Sequence, residues 1–111
     1  MVRAARLRRS GDIEKVRSAG RSFRRASFNA RVLGTQTFEA RLAVSAPRSL
    51  GTAVLRNRAR RRVREAFRQA ATLETAPGGA DVLVTVRREA AEGDFAALVA
   101  DAASVLRERG A

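Results

Sequence analysis

Seven arginines and one glutamate crowd into residues 56–68, Arg56-Asn57-Arg58-Ala59-Arg60-Arg61-Arg62-Val63-Arg64-Glu65-Ala66-Phe67-Arg68, a net charge of +6 in 13 residues. A guanidinium is a planar fork that matches phosphate oxygens and stacks on base faces, whereas an ammonium is a hydrated point charge. On a helix, Arg56, Arg60, Arg64 and Arg68 stand at successive i+4 steps and form one row. Asn57, Arg58, Arg61 and Arg62 spread beside it, and the stripe through Val63 and Phe67 turns toward a core. Like charges at i+4 cost an isolated helix roughly 0.2–0.5 kcal/mol per pair. Only Glu65 offers a counter-charge within the run. A polyanion would reverse the sign of that penalty. If such a helix neutralised ~6 phosphates, log K would fall with log salt at a slope of about −4 to −5.

The rest of the chain agrees in charge. Its 111 residues hold 23 Lys+Arg against 11 Asp+Glu, a formal +12, and 22 of the bases are arginine, Lys15 being the one lysine. Residues 1–68 carry +15 and residues 69–111 carry −3. A nucleic-acid partner is the leading reading of that polarity. A membrane surface is disfavoured, because the opposite face of the basic helix is mostly alanine with few bulky anchors.

Other classes drop out by composition. There is no Cys and no His, which removes disulfides, thiolate metal sites, the commonest general base and the commonest metal ligand. No apolar run approaches the ~18 residues of a membrane span, and the basic start lacks the apolar stretch of a secretory signal. Ser and Thr have no His to activate them. The acids of the basic part, Asp12, Glu14, Glu39 and Glu65, are far apart in sequence. No glycine-rich phosphate loop is present. The expectation is one cytoplasmic domain over residues 1–111, assisting chemistry that lies in a partner.

The elements that must position the basic row can be read from periodicity. Ser10 with Asp12 and Glu14 opens a short helix over roughly 11–19, stopped by Gly20. Phe28, Ala30 and Val32 alternate with Asn29 and Arg31; after residues 34–37, Phe38, Ala40, Leu42 and Val44 alternate again, which predicts an antiparallel hairpin with one buried face. Residues 46–51 break it, with room for a short extra strand. Leu55, Ala59, Val63, Ala66, Phe67 and Ala70 form the stripe of a helix over 53–70. Residues 71–80 read as a loop and 82–86 as an interior strand covered on both sides. Asp94 caps a last helix with Phe95, Leu98, Val99, Ala102 and Leu106 inward, Arg107 and Arg109 in its last turn, and Gly110 after it. The order is α-β-β-β-α-β-α, an α+β domain with a small mixed four-stranded sheet. The general rule makes its βαβ crossover right-handed. No helix-turn-helix precedes the basic helix, and its arginines cover too wide a face for a DNA-reading edge, so structured RNA fits better than duplex DNA.

Leu50-Gly51-Thr52-Ala53-Val54-Leu55 followed by the run from Arg56 to Arg68 closely resembles the signature of the bacterial ribonuclease P protein component, with its G-x-A-V-x-R-N-R motif. The likeness extends to the basic start, the Asp12, Val16 and Gly20 spacing, the stretch Arg41-Leu42-Ala43-Val44-Ser45, and Asp81-Val82-Leu83-Val84. The resemblance implies a ribonuclease P subunit that binds a catalytic RNA through Arg56, Asn57, Arg58, Arg60, Arg61, Arg62, Arg64 and Arg68. It implies removal of 5′ leaders from precursor tRNA by Mg²⁺-dependent hydrolysis, with the chemistry and the Mg²⁺ on the RNA, no metal site on the protein, and no obligate protein partner. It also implies a left-handed crossover, against the general rule. A cleft for the single-stranded leader would be lined by Ile13, Arg17, Phe28 and Arg31, with further basic contacts from Arg8, Arg9 and Arg48. The family is usually aromatic at the positions of Ile13 and Arg17 and often has Tyr at that of Arg31, and Arg48-Ser49 stands where a basic pair is usual. The competing reading is a structural RNA-binding protein of ribosomal type.

Overall fold

A computed structural model describes residues 4–35, 40–73 and 79–108. Its elements are β1 (Ala4–Arg6), α1 (Ser10–Ala19), β2 (Arg21–Arg24), β3 (Phe28–Thr35), β4 (Ala40–Ser45), α2 (Ala53–Leu73), β5 (Gly79–Val86), α3 (Arg88–Glu92) and α4 (Phe95–Glu108), with a 3-10 turn at Arg48–Leu50. Leaving aside the three-residue β1 and the single turn α3, the order is α-β-β-β-α-β-α. The fold is α+β as expected, and its mixed sheet runs β1-β4-β5-β3-β2.

The two alternating segments are both strands, but they do not pair with each other. β5 lies between them, antiparallel to β3 and parallel to β4. Alternation reports which face is buried and says nothing of the neighbour; a short connection suggested a hairpin that β5 in fact separates. The antiparallel partner of β3 on its other side is β2, Arg-Ser-Phe-Arg, where Phe23 alone is buried. The extra strand therefore precedes the pair, and residues 46–51 hold the 3-10 turn instead. Helix α2 carries the chain from β4 to its parallel neighbour β5, and the strand order and this crossover are consistent with the arrangement that the resemblance implies. The expected turn around 34–37 and Phe38 lie partly or wholly outside the described residues, as do Arg109 and Gly110.

One face of the sheet makes the main core. Phe28, Ala30, Val32, Leu42, Ala80, Val82, Val84 and Val86 meet Ala59, Val63, Ala66, Phe67 and Ala70 of α2 and Leu98, Ala102, Val105 and Leu106 of α4. Small alanines let the helices approach closely, and the rings of Phe28 and Phe67 meet at 5.5 Å and 45°. Asp94 caps α4 as expected, its carboxylate accepting from the Ala97 N–H at 3.3 Å. Ser10 does not cap α1: the cap position is Arg9, and no side chain bonds there. The opposite face of the sheet is covered by α1 over β3 and β5. That cover is partial, so β5 is buried on both sides at Asp81 but exposed at Thr85.

Phe28 needs a correction. It is fully buried (0% exposed) in the main core, on the face away from α1. Its alternation with Ala30 and Val32 commits its ring to that core, so it cannot line a cleft beside α1. Phe28→Ala is expected to cost about 3–5 kcal/mol in urea unfolding, the range for deleting a buried aromatic ring. A loss under 1 kcal/mol would contradict this placement.

Candidate nucleic-acid interface

The arginines of α2 divide by direction around the helix. Ala59, Val63, Ala66, Phe67, Ala70 and Ala71 are buried. Residues on the opposite side must then face solvent: Asn57, Arg58, Arg61 and Arg68 are exposed. Arg58 and Arg61 make no hydrogen bond or ion pair with any described residue. Val54, 79% exposed, stands one turn before Arg58 and two before Arg61 on the same side, an apolar contact that charge counting does not reveal. Arg60 donates to the Asn57 side-chain oxygen at 2.9 Å, so the row and its neighbour brace each other.

Arg64 sits at the flank nearest β1. Burial, and then the charges of Arg6, Arg60 and Arg8, push its guanidinium below the ordinary value. Arg6 and the exposed Arg8 thus extend the basic field of α2 across the sheet edge. Arg9 and Arg48 are also exposed. Such a cluster of like charges is what a bound anion would relieve.

Two members of the run are committed within the fold. Arg62 donates to the carbonyls of Ala90, at 2.8 Å, and Gly93, and its guanidinium lies 5.5 Å from the Phe95 ring centre. It ties α2 to the end of α3 and the start of α4, satisfying carbonyls that a helix end leaves free. Arg56 donates to the Ala46 carbonyl at 3.0 Å and fixes the entry into α2. Their places flanking the apolar stripe were visible in the helical spacing; the carbonyl partners were not.

On the other face of the sheet, α1 lies against β3 and β5. Ile13 is half-buried and Arg17 exposed, one turn apart on α1. Arg17 pairs with Glu14 at 3.4 Å, and both are well exposed. Arg31 of β3 is exposed and donates to the Gly20 carbonyl at the end of α1, at 3.3 Å. The structure therefore brings Ile13, Arg17 and Arg31 to one side and sends Phe28 to the other. Strand register adds residues that motif reading missed. Ser45 pairs with Thr85, and Thr85 with Asn29, making an exposed polar row across β4, β5 and β3 on the α1 side. Arg24, exposed on β2, pairs with Asn29 and continues that row. Alternation put Asn29 opposite the buried residues, but the row needed the pairing. Of the described phenylalanines, Phe23, Phe28 and Phe67 are buried and Phe95 is half-buried beside Arg62.

No three acidic side chains gather among the described residues in a way that could hold a metal. No described helix is long and apolar enough to cross a membrane.

Glu65 and Arg68 form an exposed pair one turn apart, with two hydrogen bonds between them, one of 2.9 Å. The hydrogen bond from Arg68, and then that from Gln69, hold the Glu65 carboxyl down at about 2. A depressed carboxyl stabilises the fold fully above its unfolded value and loses that contribution as pH falls through the folded value. Carboxyl-detected NMR is expected to show Glu65 titrating near about 2. In Arg68→Ala it should move up toward the ordinary glutamate range, and an unmoved titration would deny the pair.

Known proteins supply the remaining identification. The family model described as Ribonuclease P matches residues 1–109. The ribonuclease P protein component of Chloroflexus aggregans is 41% identical over 109 residues, covering 97% of this chain and 79% of that one. That of Gluconacetobacter diazotrophicus is 38% identical over 110 residues, covering 97% and 93%. The ribonuclease P protein of Thermotoga maritima has the same fold, with a TM-score of 0.76 and 27% identity over 92% of this chain and 94% of that one. For the Staphylococcus aureus protein the TM-score is 0.73 over 95% and 94%, and at 24% identity the likeness is one of fold alone. The match in sequence over nearly the whole length decides against a ribosomal-type protein: the chain belongs to the bacterial ribonuclease P protein family and is a protein subunit of that ribonucleoprotein enzyme.

Proposed function

We propose that this chain binds the ribonuclease P RNA through the outward side of α2 and the adjoining Arg6 and Arg8, and holds the 5′ leader of precursor tRNA against the α1 side of the sheet. The observation that carries the reading is the pair Arg58 and Arg61, exposed and without an acidic partner among the described residues, on a helix whose other side is fixed in the core. Asn57, Arg60 and Arg64 flank them, and Arg68 adds a contact tempered by Glu65. Arg56 and Arg62 hold the helix in place. Arg9 and Arg48 extend the basic surface. Ile13, Arg17 and Arg31, with the row Ser45, Thr85, Asn29 and Arg24, face the leader.

In this reading the RNA carries the hydrolysis. The chain has no His or Cys, and Asp12 and Asp81, its converging acids, are both bonded to Arg41. In the same reading Mg²⁺ is held on the RNA; among the described residues no three acidic side chains gather to hold it. Charge on α2 supplies affinity without sequence information, and fixes how the subunits meet. The cytoplasm, where precursor tRNA is made, is the matching location.

Mixing the protein with a bacterial ribonuclease P RNA and precursor tRNA at low Mg²⁺ is expected to raise 5′-leader cleavage over RNA alone. No gain would sink the reading. Replacing Arg58 and Arg61 by Ala should leave thermal stability nearly unchanged and make the salt slope of RNA binding shallower by about 1.5. Arg62→Ala should do the reverse, losing about 1–3 kcal/mol of stability with little change in slope. An equal change of slope in both variants would show that Arg62 faces the RNA too.

A further inference from the structure

Helix α1 is lightly attached to the sheet it covers. It has ten residues, and Val16 is its one buried side chain. Two guanidiniums rising from the sheet hold its ends. Arg31 donates to the Gly20 carbonyl just past the last turn. Arg41 reaches Asp12 in the first turn, Nη1 donating to Oδ2 at 3.4 Å.

Arg41 is itself rigidly fixed. Its Nε and Nη2 donate to Asp81 Oδ1 and Oδ2 at 2.8 and 2.7 Å, a two-pronged contact between register partners on β4 and β5. The Asp81 side chain is only 6% exposed and that of Arg41 32%, so the carboxylate end of the pair is shielded from water. The hydrogen bonds that Arg41 donates to Asp81 raise its guanidinium above its ordinary value, so it stays charged. Asp81, Arg41 and Asp12 thus form a chain from the sheet interior to α1.

We propose that Asp12 is a positioning residue for the leader groove: through Arg41, and Asp81 behind it, it fixes the height of α1 over the sheet and so the width of the space that receives single-stranded RNA. This rests on the leader-binding reading given above. The two ends of the helix differ in kind. Arg31 faces the groove and can exchange the Gly20 carbonyl for a phosphate. Arg41 has two of its three donor edges bound to a buried carboxylate and cannot swing away, so the Asp12 end is the fixed one. Ile13 follows Asp12 directly, and Arg17 lies one turn beyond Ile13. A shift at Asp12 therefore displaces both groove residues of α1 together.

Charge alone predicts the opposite result from positioning, which makes the idea testable. Removing an acid beside a polyanion site should tighten binding by electrostatics. Removing the tether should loosen it. The experiment measures KM of the holoenzyme for precursor tRNA with a long leader and with a one-nucleotide leader, for the unaltered protein, Asp12→Ala, Asp12→Glu and Glu14→Ala. Glu14→Ala removes the same charge from the same turn without touching Arg41.

The unaltered protein should prefer the long leader. Asp12→Ala should raise KM for the long leader roughly twofold to fivefold, the upper part of the range for a partly exposed tether, with kcat and the short-leader KM unchanged. Asp12→Glu should recover at least half of the loss, and Glu14→Ala should leave the long-leader KM unchanged or lower. Affinity for the RNA subunit, measured in parallel, should be the same in all four, showing that each is folded. A long-leader preference that survives Asp12→Ala intact overturns the inference and leaves the leader groove standing. Equal loss on both substrates also overturns it. If the unaltered protein shows no leader preference, the groove reading fails and the inference with it.

Discussion

Seven guanidiniums on one helix repel one another, and α2 persists because its inner stripe is buried. Successive i+4 arginine pairs cost roughly 0.2–0.5 kcal/mol each. Burying Phe67 alone returns about 2–3 kcal/mol, before Val63 and the four alanines are counted. Packing therefore outweighs repulsion with no need for matching acids. The helix is held in an arrangement that a free peptide of the same sequence would not keep. Its charge is displayed with no partner bound, so an anion meeting that side would find it already ordered.

The same chemical group does different work according to its direction. Arg62, Arg56 and Arg25 point along the protein surface and bond to carbonyls or acids; Arg25 reaches Ser104 at 2.8 Å and Glu108 on α4. Arg41 lies between two carboxylates. Arg58 and Arg61 are exposed and bond to no described residue. A chain with 22 arginines thus uses many of them as long hydrogen-bonding struts. Net charge alone overstates the area offered to RNA.

Much of this was legible in the residues. The stripe from Leu55 to Ala70 located α2 and its outward side, and the apolar run at 82–86 found the central strand. The Asp94 cap was equally plain. What failed was everything that depends on partners. Two alternating segments suggested a hairpin because nothing local announces that β5 will enter between them. β2 was missed because a four-residue strand with one apolar side chain has almost no period to detect. Phe28 was given to the leader on its aromatic character, although its own alternation already placed it inward. The tether through Asp12, Arg41 and Asp81 joins residues 29 and 40 positions apart, and only strand register brings them together.

The two outer strands have a consequence for the protein before it meets any RNA. An unpaired strand edge is a template for copies of the same chain. Here one edge is β1, three residues long, and the other is β2, whose four residues begin and end in arginine. A second molecule approaching β2 would have to set its own arginines beside Arg21 and Arg24, and at β1 it would find too short a ladder to hold. Neither described edge therefore offers a second copy of the chain a long, uncharged ladder to join.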